Sequence, residues 1–296
     1  MKLIRLLKMN KISDLFFNQG CLLNFKKENK KKINFSKIKE IFKSKGIIIF
    51  RNINLNKNNL IRFTDNFSHS YANDATRRSK RFGSDFIRNV DSGNQKIDLH
   101  SEASFSPSCP EIIWFYCVKP AKKSGKTLLC DGVSLWNSLN LETKNFFLSN
   151  QISYKLKIPY LEKKHKKSKK KWYLPYEGIN NCFVNFKTGE IEIDYSKYAV
   201  HKTIMPTRNL AFANHLFISL KSEPQLIRRT LKNNRGIPAK FLKEIYYKAE
   251  KNTLKIMLKK NDLIMIDNHR FMHGREKILN TEKRDIINIQ TLSSNI

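Results

Sequence analysis

The apolar residues of this chain come in short runs, and the longest, Ile112 to Val118, has seven members. A membrane-spanning helix needs about 20, so no segment predicts one. Runs of this length, bounded by Pro110 and Pro120, predict buried strands. Ile47 to Phe50, Thr127 to Cys130, Thr253 to Leu258, Leu263 to Ile266 and Ile286 to Thr291 read the same way. Ile191, Ile193 and Tyr195 alternate as a half-buried strand does. Helical patterns are fewer. Ser36 reads as the N-cap of a helix with Ile38, Ile41 and Phe42 on one face, and Gly46 stops it. A short helix is expected around Ile12 to Phe17, a second from about Asn58 with Leu60, Phe63 and Phe67, and another around Leu135 to Leu139. Pro238 to Lys251 carries Phe241, Leu242, Ile245, Tyr246 and Ala249 on one helical face. Helices in front and many short strands behind imply a mainly β protein with helices, an α+β sandwich or jelly roll under helical cover.

The chain has 296 residues, 57 of them Lys or Arg against 25 Asp or Glu, a net charge of +32. Such charge invites a nucleic-acid reading, but the lysines are spread along the chain together with abundant Asn and Ile. The densest cluster, Lys163 to Lys171, has seven lysines in nine positions and no interleaved aromatics to stack on bases. Nucleic acid is therefore an unfavoured partner. A solvated loop is the plainer reading of that cluster, and an acidic carrier protein is the alternative. Five cysteines, Cys21, Cys109, Cys117, Cys130 and Cys182, form no C-x-x-C pair and read as reduced thiols. With Arg5 and Lys8 interrupting the apolar start, the expected location is cytoplasmic.

Seven histidines can be weighed one by one. His100 alone has a carboxylate two residues on, Glu102, and on a strand those two side chains would share a face. Taken by itself, the pair is more simply a surface ion pair. The segment from Leu263 to Arg275 changes the reading. There an apolar strand runs into Asp267-Asn268-His269-Arg270-Phe271-Met272-His273-Gly274-Arg275. Two histidines and one carboxylate on one face, with three open positions, form the facial triad of non-haem iron(II) oxygenases. His100, Glu102 and His273 would complete one.

This ordered pattern resembles the taurine dioxygenase family of iron(II)- and 2-oxoglutarate-dependent oxygenases. The likeness runs from about Ile47 to Gln290 and includes Cys117-Val-Lys-Pro-Ala121. It also includes Thr127, 27 residues after His100, and Arg284, 11 residues after His273. The resemblance implies a double-stranded β-helix (jelly-roll) core with N-terminal and inserted helices. Fe(II) would be held by His100, Glu102 and His273, and 2-oxoglutarate by Thr127 and Arg284, with O2 as second cosubstrate. It also implies one oxygenase domain over residues 36–296, with a Lys-rich insertion at about 162–172, behind a basic lead-in of residues 1–35. Glu102, where the family often has Asp, is similar to the branch of clavaminate synthase and the amino-acid β-hydroxylases. That branch implies a small, amino-acid-derived substrate, hydroxylated at an unactivated carbon with release of succinate and CO2, although desaturation or ring closure stays open. Asn288 stands where taurine dioxygenase itself has an arginine for its sulfonate. Asp267, Asn268, Arg270 and Arg275 are expected to hold the loop presenting His273, and His269 to be structural. His69, His201 and His215 are candidate pocket residues, and Asn94, Ser104 and Phe105 are candidate substrate contacts. Trp114 and Tyr116 are expected in the core. The competing readings are a catalytically silent jelly-roll binding protein and a basic protein acting on nucleic acid.

Overall fold

Strands whose two faces are both covered lose the apolar–polar alternation, which is why Ile47 to Phe50 and Ile112 to Val118 read as continuous runs. The computed structural model describes residues 12–14, 20–25, 33–72, 78–90, 93–106, 109–159, 182–185, 190–203, 209–219 and 226–296. The Lys-rich insertion at 162–172 lies outside them. In chain order, β1 (Ile12–Asp14) and β2 (Cys21–Asn24) precede α1 (Phe35–Lys45) and β3 (Ile47–Arg51). Next come α2 (Lys57–Asp65), β4 (Ser68–Tyr71), β5 (Arg88–Asn89), β6 (Ile97–His100), β7 (Ile112–Lys119) and β8 (Thr127–Asp131). Helices α3 (Gly132–Ser138) and α4 (Leu141–Ser149) lead to β9 (Gln151–Pro159), β10 (Cys182–Asn185) and β11 (Glu190–Tyr198). β12 (His201–Lys202), β13 (Leu210–Ala211), β14 (Leu226–Leu231) and α5 (Ala239–Lys251) follow. The chain ends in β15 (Thr253–Ile256), β16 (Leu263–Asp267), β17 (Phe271–Arg275) and β18 (Asp285–Ser294).

The larger sheet has the order β1-β2-β3-β16-β7-β18-β4, with β5 also on β18; the smaller is β15-β8-β17-β6. Except for the parallel β2–β3 pair, neighbours in both sheets are antiparallel. Ile47, Ile49, Ile113, Ile264, Ile266 and Ile286 of the larger sheet meet Leu129 and Phe271 of the smaller one in a shared apolar layer. The intervening residues Ile48, Phe50, Trp114 and Met265 face the other way, onto α1 and α2. The smaller sheet turns Leu128, Cys130 and Met272 to α3, α4, α5 and a further sheet, β10-β11-β9-β14. This is the expected jelly-roll core with helices on its outer faces. Trp114 and Tyr116 are buried as expected, and no helix among the described residues is long and apolar enough to cross a membrane. Cys21, Cys109, Cys117 and Cys130 are free thiols.

Two local expectations are corrected, and two further features go beyond the sequence patterns. Residues Ile12–Asp14 form a strand, not a helix, because the free edge of β2 offers them backbone partners in register with Cys21 to Leu23. The N-cap of α1 is Asn34, whose side chain accepts from Lys37 N at 3.0 Å, so the helix starts before Ser36. Thr253–Ile256 and Leu263–Asp267 are adjacent in sequence but belong to opposite sheets, β15 pairing with β8 and β16 with β3 and β7. Helix α4 carries no clean apolar stripe: Phe147 is buried while Leu141 and Leu148 are exposed, which hid it from a periodicity reading. The other helices and long strands fall where their patterns put them. Gly46 caps α1 in the left-handed conformation, φ 71°.

Trp114 is fully buried, edge-on to Phe63 and tilted against Phe67, and its Nε1 donates to Thr291 Oγ1 at 2.9 Å. Trp114→Ala would leave a cavity and remove one hydrogen bond from the Thr291 hydroxyl. The expected loss of unfolding free energy is about 3–5 kcal/mol, read by chemical denaturation.

Candidate metal centre

β6 and β17 run antiparallel side by side, with His100 directly opposite His273 and the ring centroids 4.4 Å apart. That closeness depends on the residue after His273. A Cβ at Gly274 would stand 2.7 Å from the carbonyl oxygen of Ile97, so no other residue lets the strands approach in this way. The Nδ1 of His100 lies 2.9 Å from Asp98 O. A carbonyl can only accept, so Nδ1 carries the proton and Nε2 is left with its lone pair. His273 packs against the ring of Phe115.

Glu102 completes the cluster from an unexpected place. β6 ends at His100, and Glu102 lies in the turn that follows, so the shared-face argument from strand geometry does not apply. The turn brings the carboxylate round instead. Ala103 takes a left-handed φ of 50°, a strained choice for a residue with a Cβ. Asn268, fully buried between β16 and β17, grips the turn. Its Oδ1 accepts from Glu102 N at 2.8 Å, and its Nδ2 donates to Glu102 O at 3.0 Å and Pro110 O at 2.8 Å. Ser101 Oγ adds a bond to Asn268 O at 2.6 Å. Glu102 Oε2 then lies 3.9 Å from His100 Nε2 and 3.6 Å from His273 Nε2. One ligand atom from each of the three falls within 4.8 Å of the others, a set that can hold a metal ion.

Burial opposes ionisation of Glu102, yet the Arg78 guanidinium, with His100 and His273 close by, holds its carboxyl well below the usual range. Arg78 Nη2 lies 3.2 Å from Glu102 Oε2. Burial first, then the charge of His100, pushes His273 down to about 4. At neutral pH the cluster therefore offers the Glu102 anion and a neutral His273 imidazole.

Thr127 and Arg284 stand beside it. Thr127 opens β8, next to β17, and Arg284 immediately precedes β18; Arg284 Nη2 donates to Thr127 Oγ1 at 3.1 Å. Both line one narrow cavity with His100, His273, Phe115 and Arg275. Burial and the charge of Arg275 lower Arg284 to about 10, which still leaves it cationic at neutral pH. Among the described residues no carboxylate pairs with Arg284, so its charge faces the cavity. A wider cleft of about 710 Å³ adjoins it, lined among others by Arg78, Arg81, Asn94, Arg275, Lys283 and Arg284.

All five residues singled out from the sequence thus meet in one place. The neighbouring signature residues also have assigned work. Asp267 Oδ1 accepts from His269 N and Arg270 N and shapes the β16–β17 turn, and Arg270 forks onto Asp131. Arg275 donates to the carbonyls of Gly93 and Gln95. His215 packs its ring on His100 and Phe105, whereas His69 is exposed and His201 bonds to His269 O away from the cluster. Asn94 lies in the wider cleft, and Ser104 is buried under the Glu102 turn. Sequence reasoning missed Arg78 and the grip of Asn268 on Glu102. The Asp-Asn step of the signature was the available signal for the second.

A jelly roll with two histidines and a carboxylate converging beside a cavity that holds an unpaired cation defines the 2-oxoglutarate-dependent non-haem iron dioxygenases as a class. The chain belongs to the taurine catabolism dioxygenase TauD, TfdA family, which it matches over residues 17–290. It is accordingly an enzyme of the 2-oxoglutarate-dependent type, using Fe(II), 2-oxoglutarate and O2. Similar solved structures include a taurine dioxygenase from Burkholderia xenovorans, at TM-score 0.65 and 11% identity, covering 95% of this chain and 88% of that one. AAD-2 in complex with Mn(II) and N-oxalylglycine is similar at TM-score 0.64 and 13% identity, covering 95% and 96%. PvcB from Pseudomonas aeruginosa is similar at 0.62 and 12%, covering 95% and 90%. At these identities they establish the fold. No curated protein matches the chain by sequence.

Two expected outcomes follow from the geometry. Asn268→Ala removes the clasp on the Glu102 backbone, so Mn(II) affinity measured by calorimetry should fall roughly 10-fold or more while the circular dichroism spectrum is kept. The metal-free protein should also lose stability in mild acid. His201, His215 and His273 are lowered from 6.5 to about 4, 3 and 4, mainly by burial. Below pH 6.5 the unfolded chain takes up protons that the fold refuses, so stability falls between 6.5 and about 4. His269 is lowered by burial as well, and Asp267, raised by burial to about 6, acts in the opposite sense over part of this window, one group against four. Urea midpoints at pH 7 and pH 5 give the check, with the lower value expected at pH 5.

Proposed function

We propose that His100, Glu102 and His273 hold Fe(II) and that Thr127 and Arg284 hold 2-oxoglutarate. The supporting observation is the convergence of three ligand atoms beside a cavity lined by two of the ligands, His100 and His273, and by Thr127 and a part-buried arginine, Arg284, with no carboxylate partner among the described residues. The donor set suits the metal: imidazole nitrogens and a carboxylate with no thiolate among them match ferrous iron, and a three-residue face leaves room for a chelating cosubstrate. Bound together, Fe(II), 2-oxoglutarate and O2 supply an oxidant strong enough to hydroxylate an unactivated carbon, with succinate and CO2 released.

The protein's own residues do the positioning. Asp98 O fixes the His100 tautomer, so that Nε2 keeps its lone pair for the metal without a competing proton. Arg284 offers a planar fork to the distal carboxylate of 2-oxoglutarate, and the Thr127 hydroxyl, already its hydrogen-bond partner, orients that fork. Val90, Ile97 and Phe115 form the apolar wall of the narrow cavity and limit water there. The substrate enters from the wider cleft, whose cationic and amide lining suits a small anionic or zwitterionic molecule.

We take that substrate to be amino-acid-derived, in keeping with the glutamate ligand and the likeness to clavaminate synthase. Residues 36–296 would act as one oxygenase domain, with β1 and β2 of the lead-in added to the sheet edge, in the cytoplasm. The net charge of +32 supports presentation of the substrate on an acidic carrier protein. Turnover of free substrate that is indifferent to salt would count against the carrier.

Purified protein with Fe(II), ascorbate, 2-oxoglutarate and air should form succinate slowly without added substrate, and His273→Ala should abolish it. Arg284→Met should raise the KM for 2-oxoglutarate roughly 10- to 100-fold, the loss expected for a charge-assisted pair. Absence of succinate together with absence of Fe(II)-dependent 2-oxoglutarate binding would remove the assignment.

A further inference from the structure

A glutamate ligand poses a problem that the cluster alone does not solve. Carboxylates ligate metals through one oxygen or through both. A two-oxygen grip by Glu102 would consume a coordination position that 2-oxoglutarate or O2 needs. Glutamate also carries one more rotatable bond than aspartate and so has more freedom to swing into such a grip. Something outside the three ligands has to claim the second oxygen.

Arg78 is placed to do so. Glu102 Oε2 is the oxygen that faces both Nε2 atoms. Arg78 Nη2 lies 3.3 Å from the other oxygen, Oε1, and 3.2 Å from Oε2. The guanidinium is itself fixed on its other branch. Nη1 donates to Asn288 Oδ1 at 2.9 Å, and Asn288 is buried in β18, held by Trp114 O at 3.2 Å and by Gln290 Nε2 at 3.2 Å. The backbone of Arg78 is tied down as well, since Arg88 Nη1 donates to its carbonyl at 3.2 Å. Charge-assisted bonds of this kind are about twice as strong as neutral ones. A planar fork with one branch on each partner also sets a direction that a flexible ammonium would not.

We propose that Arg78, seated on Asn288, is a positioning residue that keeps Glu102 a one-oxygen ligand. Nη2 reaches both oxygens; with Oε2 taken by the metal it would keep Oε1 and so preserve the open positions for the cosubstrates. This inference rests on the ligand assignment proposed above.

The test separates metal binding from cosubstrate chelation in the full-length protein. Mn(II) binding is followed by the electron paramagnetic resonance of the free ion. 2-Oxoglutarate binding to the Fe(II) protein is followed without oxygen by the visible charge-transfer absorption of the chelate. In Arg78→Met, Mn(II) binding should persist while 2-oxoglutarate chelation weakens roughly 10-fold or more, and Arg78→Lys should recover part of it. Asn288→Ala should show the same split at smaller size. Glu102→Asp provides the decisive background: its shorter side chain does not reach Arg78, so Arg78→Met should then have no further effect on chelation.

Undiminished chelation in Arg78→Met overturns the proposal. Parallel loss of Mn(II) and 2-oxoglutarate binding does so too, because it makes Arg78 merely structural. A full Arg78→Met effect in the Glu102→Asp background would mean that Arg78 touches the cosubstrate directly, which also overturns it. If the wild-type protein binds no Mn(II), or binds it equally well as His273→Ala, the metal centre itself falls and this inference with it.

Discussion

A largely buried carboxylate set against two imidazoles is the constraint around which this structure is organised. Removing an anion from water costs several kcal/mol unless partners replace the lost solvation. At Glu102 the replacements come from separated parts of the chain: Arg78 from the segment before β5, His100 from β6, His273 from β17 and Asn268 from the β16–β17 turn. The two groups of contacts differ in kind. Arg78 and the histidines answer the charge, while Asn268 answers the backbone that carries it. A cluster assembled this way is indifferent to the exact strand position of its acid. It requires only that the turn after β6 be clamped to the turn after β16.

The jelly roll supplies that clamp because its two sheets are sealed on both sides. Ile47, Ile49, Ile264 and Ile266 face the smaller sheet, and Ile48, Phe50 and Met265 face the helices. A register slip of one residue in β3 or β16 would exchange these two sets, which pack against different partners, so the register is strongly specified. β16 sits between β3 and β7, and its last residue, Asp267, begins the turn that carries Asn268. Core packing therefore fixes the position of the Asn268 amide, and through it the Glu102 backbone.

Much of this was legible in sequence, for reasons that also explain what was not. β7, β8, β16 and β18 are apolar enough to read directly. The order His100, Glu102, Thr127, His273, Arg284 ties each residue to a strand: His100 ends β6 and Glu102 follows it, Thr127 opens β8, His273 is central in β17 and Arg284 precedes β18. What failed was local geometry set by tertiary contact. Glu102 reaches the cluster through a left-handed Ala103 and a clasp 166 residues away, neither of which has a spacing rule. Residues 12–14 form a strand because β2 offers an open edge, and α4 is retained although two of its leucines face solvent. Arg78 was invisible because one arginine among 57 basic residues has no signature until the fold places it beside a carboxylate.

The polar residues of β18 extend the same logic. A strand that packs inside the larger sheet has little reason to carry Asn288, Gln290 and Thr291, all of them buried. Each is matched to a polar group that the sheet would otherwise strand. Thr291 Oγ1 takes the indole proton of Trp114 and bonds Ser68 Oγ at 2.6 Å, joining β18 to its neighbours β7 and β4. Gln290 and Trp114 O hold Asn288, and Asn288 holds Arg78. Replacing Asn288 by an apolar residue would remove the acceptor on β18 that seats the guanidinium, and would also deprive Gln290 Nε2 and Trp114 O of their partner. An arginine at that position would instead set a second guanidinium against the first. The asparagine that looked like a missing cation is thus the acceptor for a cation that arrives from elsewhere in the chain.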